Sequence, residues 1–297
     1  MDSVLHSERN KWVPVILLLV SMVSLQSGAA FAKQLLLSLG VAGTVTLRLC
    51  LASVMLCVVC RPWRERLHMR TLLVIALYGI TIGTMNVLIY SALRYIPLGI
   101  AVALEFLGPL AIAVLNSRKK IDFLWIGLAA IGVVILLPKS DASSALPWPG
   151  ILYALGAAIC WALYIILGQK AGALAPSGTV ASIGMLAGAL AIAPVGAVAA
   201  GPALFDLQFL PYGLLIALLS SALPYHLEMI ALKAMPARTF GVLMSLEPAV
   251  ASLSGMIILH EYLSGTQWLA VACVMLASFG AVASSNPPRV IPEELGV

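Results

Sequence analysis

The chain has 297 residues, of which 62% are hydrophobic and only 10% are charged, and its mean hydropathy is +1.05. Soluble globular domains carry about 25% charged residues, so this composition excludes a soluble protein and predicts an integral membrane protein. The net charge of +5 then concerns orientation in the lipid bilayer, because no basic stripe with interleaved aromatic residues indicates a nucleic-acid partner.

Ten apolar stretches are long enough to cross a bilayer, which takes about 20 residues of α-helix. The connections between them are short and leave no room for a domain outside the membrane. The sequence therefore predicts an all-α polytopic protein. The predicted spans are 13–32, 44–60, 71–91, 97–115, 122–138, 149–168, 177–199, 210–231, 238–259 and 266–284.

The basic residues orient these spans, because short cytoplasmic loops are enriched in lysine and arginine. With the N-terminus inside, 13 of the 17 basic residues lie in inner segments, and only Lys33, Arg94 and Lys139 lie in outer ones. The remaining one, Arg48, is inside a span. An even number of spans returns the chain to the side on which it began, so we expect both termini in the cytoplasm.

The two halves of the chain share a pattern, which predicts one repeat over 1–140 and another over 141–297. Each repeat holds five spans, an odd number, so the second copy is expected to be inverted relative to the first. Inverted repeats are typical of secondary transporters, which bind substrate near the membrane midplane between the repeats. The matches are Pro14 and Gly43–Val45 with Pro149 and Gly178–Val180, at a numbering offset of 135, and Pro97 and Pro109 with Pro236 and Pro248, at an offset of 139.

The fourth span of each repeat places a carboxylate near the membrane centre. Glu105 precedes Pro109 by four residues, and Glu247 directly precedes Pro248. Because a charge there costs about 2.5–3.5 kcal/mol on insertion scales, the two glutamates predict either a polar cavity or internal ion pairs that fix helix packing. The prolines predict kinks. The glutamates are not equivalent in the repeat, since an offset of 139 pairs Glu105 with Met244.

Two more charged residues, Glu228 and Arg48, lie nearer the ends of their spans, where long side chains can also snorkel to the surface. In a cavity, the carboxylates would meet a substrate ammonium group or carry protons, and Arg48 would hold a substrate carboxylate. The other candidates are polar or amphipathic residues that line a cavity or else serve packing and the membrane interface. They are Gln26, Lys33, Asn86, Tyr90, Trp161, Tyr164, Tyr225 and His226.

Enzyme and metal motifs are absent from the sequence. It contains no Walker A loop, no Gly-x-Gly-x-x-Gly after a strand, no His-Glu-x-x-His and no Gly-x-Ser-x-Gly. We expect no catalytic residues, no cofactor and no metal site, so that any transport draws on ion or substrate gradients. Two Gly-x-x-x-Gly pairs, Gly79 with Gly83 and Gly184 with Gly188, predict close helix crossings.

Four blocks, 97–109, 160–164, 222–232 and 238–248, resemble the EamA-type permeases of the drug/metabolite transporter superfamily, and the similarity extends over essentially the whole chain. The resemblance implies ten helices in two inverted five-helix repeats. It also implies export of small neutral amino acids, threonine and homoserine, across the bacterial inner membrane. We expect alternating access with proton antiport, in a monomer or a homodimer.

Two other functions fit the same sequence. The first is a broad-specificity efflux permease for hydrophobic or cationic compounds, because members of a transporter family keep the fold while their cargo diverges. The second is a membrane sensor or assembly factor that transports nothing.

Overall fold

The computed structural model describes residues 2–115, 120–137, 146–224, 227–228, 231, 235 and 237–284. These residues are almost entirely helical and include no strand. Short 3₁₀ turns at Pro62–Arg64, Gly201–Phe205 and Leu207–Phe209 connect some of the helices. The α-helices are α1 (Asp2–Cys60), α2 (Met69–Ala92), α3 (Leu98–Glu105), α4 (Leu107–Leu115), α5 (Asp122–Leu136), α6 (Trp148–Gly172), α7 (Ser177–Ala200), α8 (Leu210–Ala217), α9 (Ala237–Met244), α10 (Glu247–Leu259) and α11 (Gly265–Ser284).

The helices have the length and the surface of a polytopic membrane protein. Outward-facing apolar side chains are largely exposed, among them Leu37 at 94% and Val198 at 87%, as expected of a surface in contact with lipid. Six stretches of the described chain are long and apolar enough to span a bilayer, namely Trp12–Cys60, Met69–Ala92, Trp148–Gly172, Ser177–Phe205, Thr239–Leu259 and Gly265–Ser284; shorter apolar helices cover Leu98–Ile112, Asp122–Leu136 and Leu207–Ala222.

Helix α1 contains both of the first two predicted spans. It changes direction at Gly40, whose φ of 65° and ψ of 179° are accessible to glycine without strain. The loop expected over 33–43 is therefore almost entirely helical. The physical reason is local, because residues 33–39 contain no proline or glycine to end the first arm.

The two proline-framed spans are broken helices, as their prolines predict. Each break lies four residues before a proline: α3 ends at Glu105 before Pro109, and α9 ends at Met244 before Pro248. Proline has no N–H, so the carbonyl four residues earlier loses its helical donor. Both breaks therefore follow from the sequence.

The two halves of the chain pack against each other and share one core. Helix α1 packs on α7, α2 on α6 and α7, α3 on α10, and α5 on α11. The main buried cluster accordingly contains Leu49 and Ile100 from the first half and Ile151 and Ile216 from the second. The main core therefore lies between the two halves of the chain.

The predicted glycine pairs meet where α2 crosses α7. A Cβ atom added to Gly79 would lie 2.0 Å from the Gly184 carbonyl oxygen, and one added to Gly188 would lie 2.5 Å from the Gly79 carbonyl oxygen. The two backbones are therefore in direct contact, and a side chain at either position would separate them.

We expect the Gly79→Ala substitution to destabilise the protein by about 1–3 kcal/mol, because a methyl group overpacks this crossing. Gly127→Ala is the matched control, since a Cβ atom on this helical glycine meets nothing within 4 Å. The measurement is the thermal unfolding midpoint of each purified variant in detergent. Equal midpoints for the two variants would contradict the close crossing.

Candidate functional site

A cavity of about 310 Å³ lies between the two halves. Its walls are mainly apolar and carry a few charged and polar groups, a composition typical of sites for small molecules. The predicted Tyr225 lies outside the described residues. Nine of the predicted site residues line the cavity: Gln26, Arg48, Asn86, Tyr90, Glu105, Trp161, Tyr164, Glu228 and Glu247.

Arg48 is the one cationic side chain among the described residues that line the cavity. Its Nη1 donates to Asn86 Oδ1 at 2.7 Å and to the Tyr90 hydroxyl at 3.0 Å, and its Nη2 donates to the Ser220 carbonyl oxygen at 3.2 Å. Its Cζ lies 5.6 Å from the centre of the Tyr90 ring. These partners are all uncharged, so the guanidinium is held in place while its charge stays available to an anion.

Glu247 is the first residue of α10, and its side chain is only 3% exposed. Its Oε1 accepts a hydrogen bond from Gln26 Nε2 at 2.9 Å, while Oε2 is buried without a partner among the described residues. The break before α10 aims this carboxylate at the centre of the molecule, and α1 supplies the amide that holds it.

Glu105 ends α3 at the other helix break and is 7% exposed. The described residues give its carboxylate no hydrogen bond. Glu228, in contrast, accepts from the Ser21 hydroxyl at 2.8 Å. Glu105 is therefore the lining carboxylate best placed to receive an incoming cation.

Aromatic residues of α6 form an apolar wall of the cavity. The Trp161 ring meets Phe106 edge to face, with centroids 5.2 Å apart. Tyr164 stacks on Tyr78 with a centroid separation of 5.1 Å. Trp161 and Tyr164 are three residues apart on one face of α6, and both line the cavity.

The sequence did not predict the contribution of the turn that follows α8. The residues Leu218–Ala222 form a π-helical turn, and the Ser220 carbonyl of this turn accepts from Arg48. The sequence signal for this turn is the Ser220–Ser221 pair in the otherwise apolar stretch 213–224. Lys33, a secondary candidate, does not line the cavity; it pairs with Glu261 at 2.5 Å. His226 lies outside the described residues.

The cavity thus combines one guanidinium, several carboxylates and an aromatic wall in a space of small-molecule size. An anionic group placed at Arg48 gains a charge-assisted hydrogen bond, and so does an ammonium group placed at a glutamate. This combination suits a small zwitterion better than an apolar compound.

Comparison with known proteins identifies the relatives of this chain. A model described as the EamA-like transporter family matches residues 148–283. The threonine/homoserine exporter RhtA of Salmonella typhimurium (strain LT2) is 48% identical over 270 residues, which cover 91% of each chain. The exporter of the same name from Escherichia coli (strain K12) is 47% identical over 282 residues, or 95% of each chain.

More distant similarities extend these findings. An uncharacterized transporter of Bacillus subtilis (strain 168), YwfM, is 29% identical over 193 residues, which cover 61% of this chain and 60% of the relative. One solved crystal structure matches with a TM-score of 0.55 and 18% identity over 93% of this chain and 98% of that chain. At this identity the match shows a shared fold alone.

Proposed function

Because this chain belongs to the EamA-like transporter family, among its threonine/homoserine exporters, we propose that it exports threonine and homoserine from the cytoplasm. It is a multi-pass transporter of the bacterial inner membrane and not an enzyme. The observation that carries the proposal is the central cavity, in which Arg48 and Glu105 offer opposite charges to a zwitterionic amino acid.

In the proposed complex, the substrate carboxylate binds Arg48 and the substrate ammonium group binds Glu105. Asn86 and Tyr90 hold the guanidinium in position. Trp161 and Tyr164 face the rest of the substrate. Threonine and homoserine carry a short side chain with one hydroxyl, which suits a small cavity that has polar groups beside an aromatic wall.

The proposed topology has ten spans in two inverted repeats, 1–140 and 141–297, with both termini in the cytoplasm. Repeated packing supports it: α2 packs on α6 and α7, and α8 with the π turn, the counterpart of α2, packs on α1, which holds the counterparts of both. The helix breaks support it too, since the last residues of α3 and α9 are related by the same numbering offset as their prolines. Such repeats suit alternating access, in which one repeat rocks against the other around a central site.

Proton antiport follows if one carboxylate binds either the substrate ammonium group or a proton, but not both. Glu105 suits this exchange because, unlike Glu247 and Glu228, it has no hydrogen-bond partner among the described residues. The proton gradient would then drive export, since a proton entering from outside displaces the substrate from the carboxylate.

Expression of the protein is expected to relieve growth inhibition by excess threonine or homoserine in a strain that lacks its own exporters. The measurement is the growth rate over a range of amino-acid concentrations, with Arg48→Gln as the inactive control. If expression protects cells from cationic or hydrophobic compounds but not from excess threonine or homoserine, the broad efflux permease is supported instead. If expression protects cells from none of these compounds and the purified protein shows no counterflow, a sensor is supported.

A further inference from the structure

Lys33 and Glu261 form an ion pair that joins three separate segments of the chain. Lys33 Nζ lies 2.5 Å from Glu261 Oε1 and donates to the Ile96 carbonyl oxygen at 3.1 Å. The other oxygen, Glu261 Oε2, accepts from the Leu98 backbone N–H at 2.8 Å. One pair of side chains therefore ties together α1, the turn before α3, and the connection between α10 and α11.

The pair lies at one end of the central cavity. Ala29 and Leu98 line the cavity; Lys33 follows Ala29 by one helical turn on the same face of α1, and Leu98 donates directly to Glu261. Each of the two side chains is only 18% exposed. The pair itself is not part of the cavity wall, so substrate binding does not account for it.

One short helix connects the pair to the proposed binding site. Helix α3 has eight residues; its first N–H is held by Glu261, and its last residue is Glu105. A carboxylate is also favourable at a helix N-terminus, where the helix dipole is positive. Helix α3 therefore links the pair directly to Glu105 in the cavity.

The first repeat has an acidic residue at the position that corresponds to Glu261. Glu261 is related to Asp122 by the same numbering offset that relates Pro236 to Pro97. Asp122 is the first residue of α5 and is 5% exposed, whereas Glu261 lies four residues before α11 begins. In an inverted repeat, the two carboxylates are expected at opposite ends of the molecule.

We propose that the Lys33–Glu261 pair is a latch that holds the outer end of the cavity shut and opens when substrate leaves. The proposal rests on the proposed function for its direction of opening and on the proposed topology for the outer position. Lys33 and Glu261 are then positioning residues: outward opening separates α1 from α3 and from the α10–α11 connection, and this breaks the pair.

The test uses the Ala29→Cys variant in a chain whose five native cysteines are replaced by serine. The measurement is the rate at which an impermeant thiol reagent, applied outside intact cells, modifies the cysteine at position 29. Lys33→Met and Glu261→Gln are each expected to raise this rate about fivefold or more, because they remove contacts made only in the closed state and so shift the population. Lys33→Arg keeps the charge and should keep the slow rate. Arg94→Gln is the matched control, since Arg94 is an exposed cation on the same proposed side.

Equal rates in the parent, Lys33→Met and Glu261→Gln would overturn the latch. Folding damage is separated by kinetics: an unlatched transporter keeps its maximal exchange rate and raises its apparent KM for cytoplasmic threonine, whereas a misfolded one loses the maximal rate. Faster labelling without this kinetic pattern would also count against the latch. Threonine counterflow by the parent is scored separately, so its failure would refute the proposed function while the labelling rates still test the latch.

Discussion

Replacing Arg48 by glutamine is expected to reduce threonine counterflow about 100-fold. The substitution removes the one cation that the described residues bring to the cavity, while carboxylates still line it. The proposed charge pair is the one between Arg48 and the substrate carboxylate. Truncating one partner of such a buried pair costs about 2–5 kcal/mol, and a 100-fold loss of rate corresponds to about 2.7 kcal/mol. The measurement is the initial rate of counterflow in proteoliposomes at several threonine concentrations.

Two further variants isolate the role of the guanidinium. Arg48→Lys keeps the charge but lacks the planar fork that bonds Asn86, Tyr90 and Ser220 together, so we expect an intermediate loss of about tenfold. Arg94→Gln removes an exposed charge that does not line the cavity, so this variant should retain full activity. An unchanged KM and maximal rate in Arg48→Gln would rule out Arg48 as the carboxylate site.

Replacing Glu105 by glutamine is expected to reduce export driven by a pH gradient about 100-fold, since a glutamine can neither carry the proton nor form an ion pair with an ammonium group. Glu247→Gln is expected to lose less than about tenfold, because an amide oxygen can still accept the hydrogen bond from Gln26 that now holds the carboxylate. The measurement is threonine efflux from vesicles with an imposed pH gradient.

The helix termini give an electrostatic reason for this difference. Glu247 begins α10, where the helix dipole stabilises negative charge, whereas Glu105 ends α3, where the dipole does not. An incoming cation therefore gains most at Glu105. Glu65→Gln, in an exposed connection, is the control and should export normally. If Glu105→Gln and Glu247→Gln both retain export driven by the pH gradient, the hypothesis that these residues couple protons to export is wrong.

The sequence selected Glu105, Glu247, Glu228 and Arg48 as candidates because charge in an apolar helix is costly in contact with lipid. It left open whether they form a cavity, form internal ion pairs or reach the membrane surface, and the structure shows that all four line one cavity. The prolines likewise predicted the two helix breaks, since a missing N–H is a property of the residue itself.

Contacts between distant helices were not predictable in the same way. Gln26 bonds Glu247 across 221 positions of the chain, and Lys33 bonds Glu261 across 228. These pairings depend on the rotation and the depth of each helix. Helix packing determines both, and a local sequence pattern predicts neither. The π turn at Leu218–Ala222 also was not predicted, because no proline or glycine marks this change in helical geometry.

Counterflow of radiolabelled homoserine into proteoliposomes loaded with unlabelled threonine tests most directly whether this cavity carries an amino acid. The purified protein is predicted to accumulate label above the level of protein-free liposomes, and Arg48→Gln is predicted to slow the initial accumulation about 100-fold. No accumulation by the intact protein, or equal accumulation by Arg48→Gln, would contradict the claim that this cavity carries a zwitterionic amino acid across the membrane.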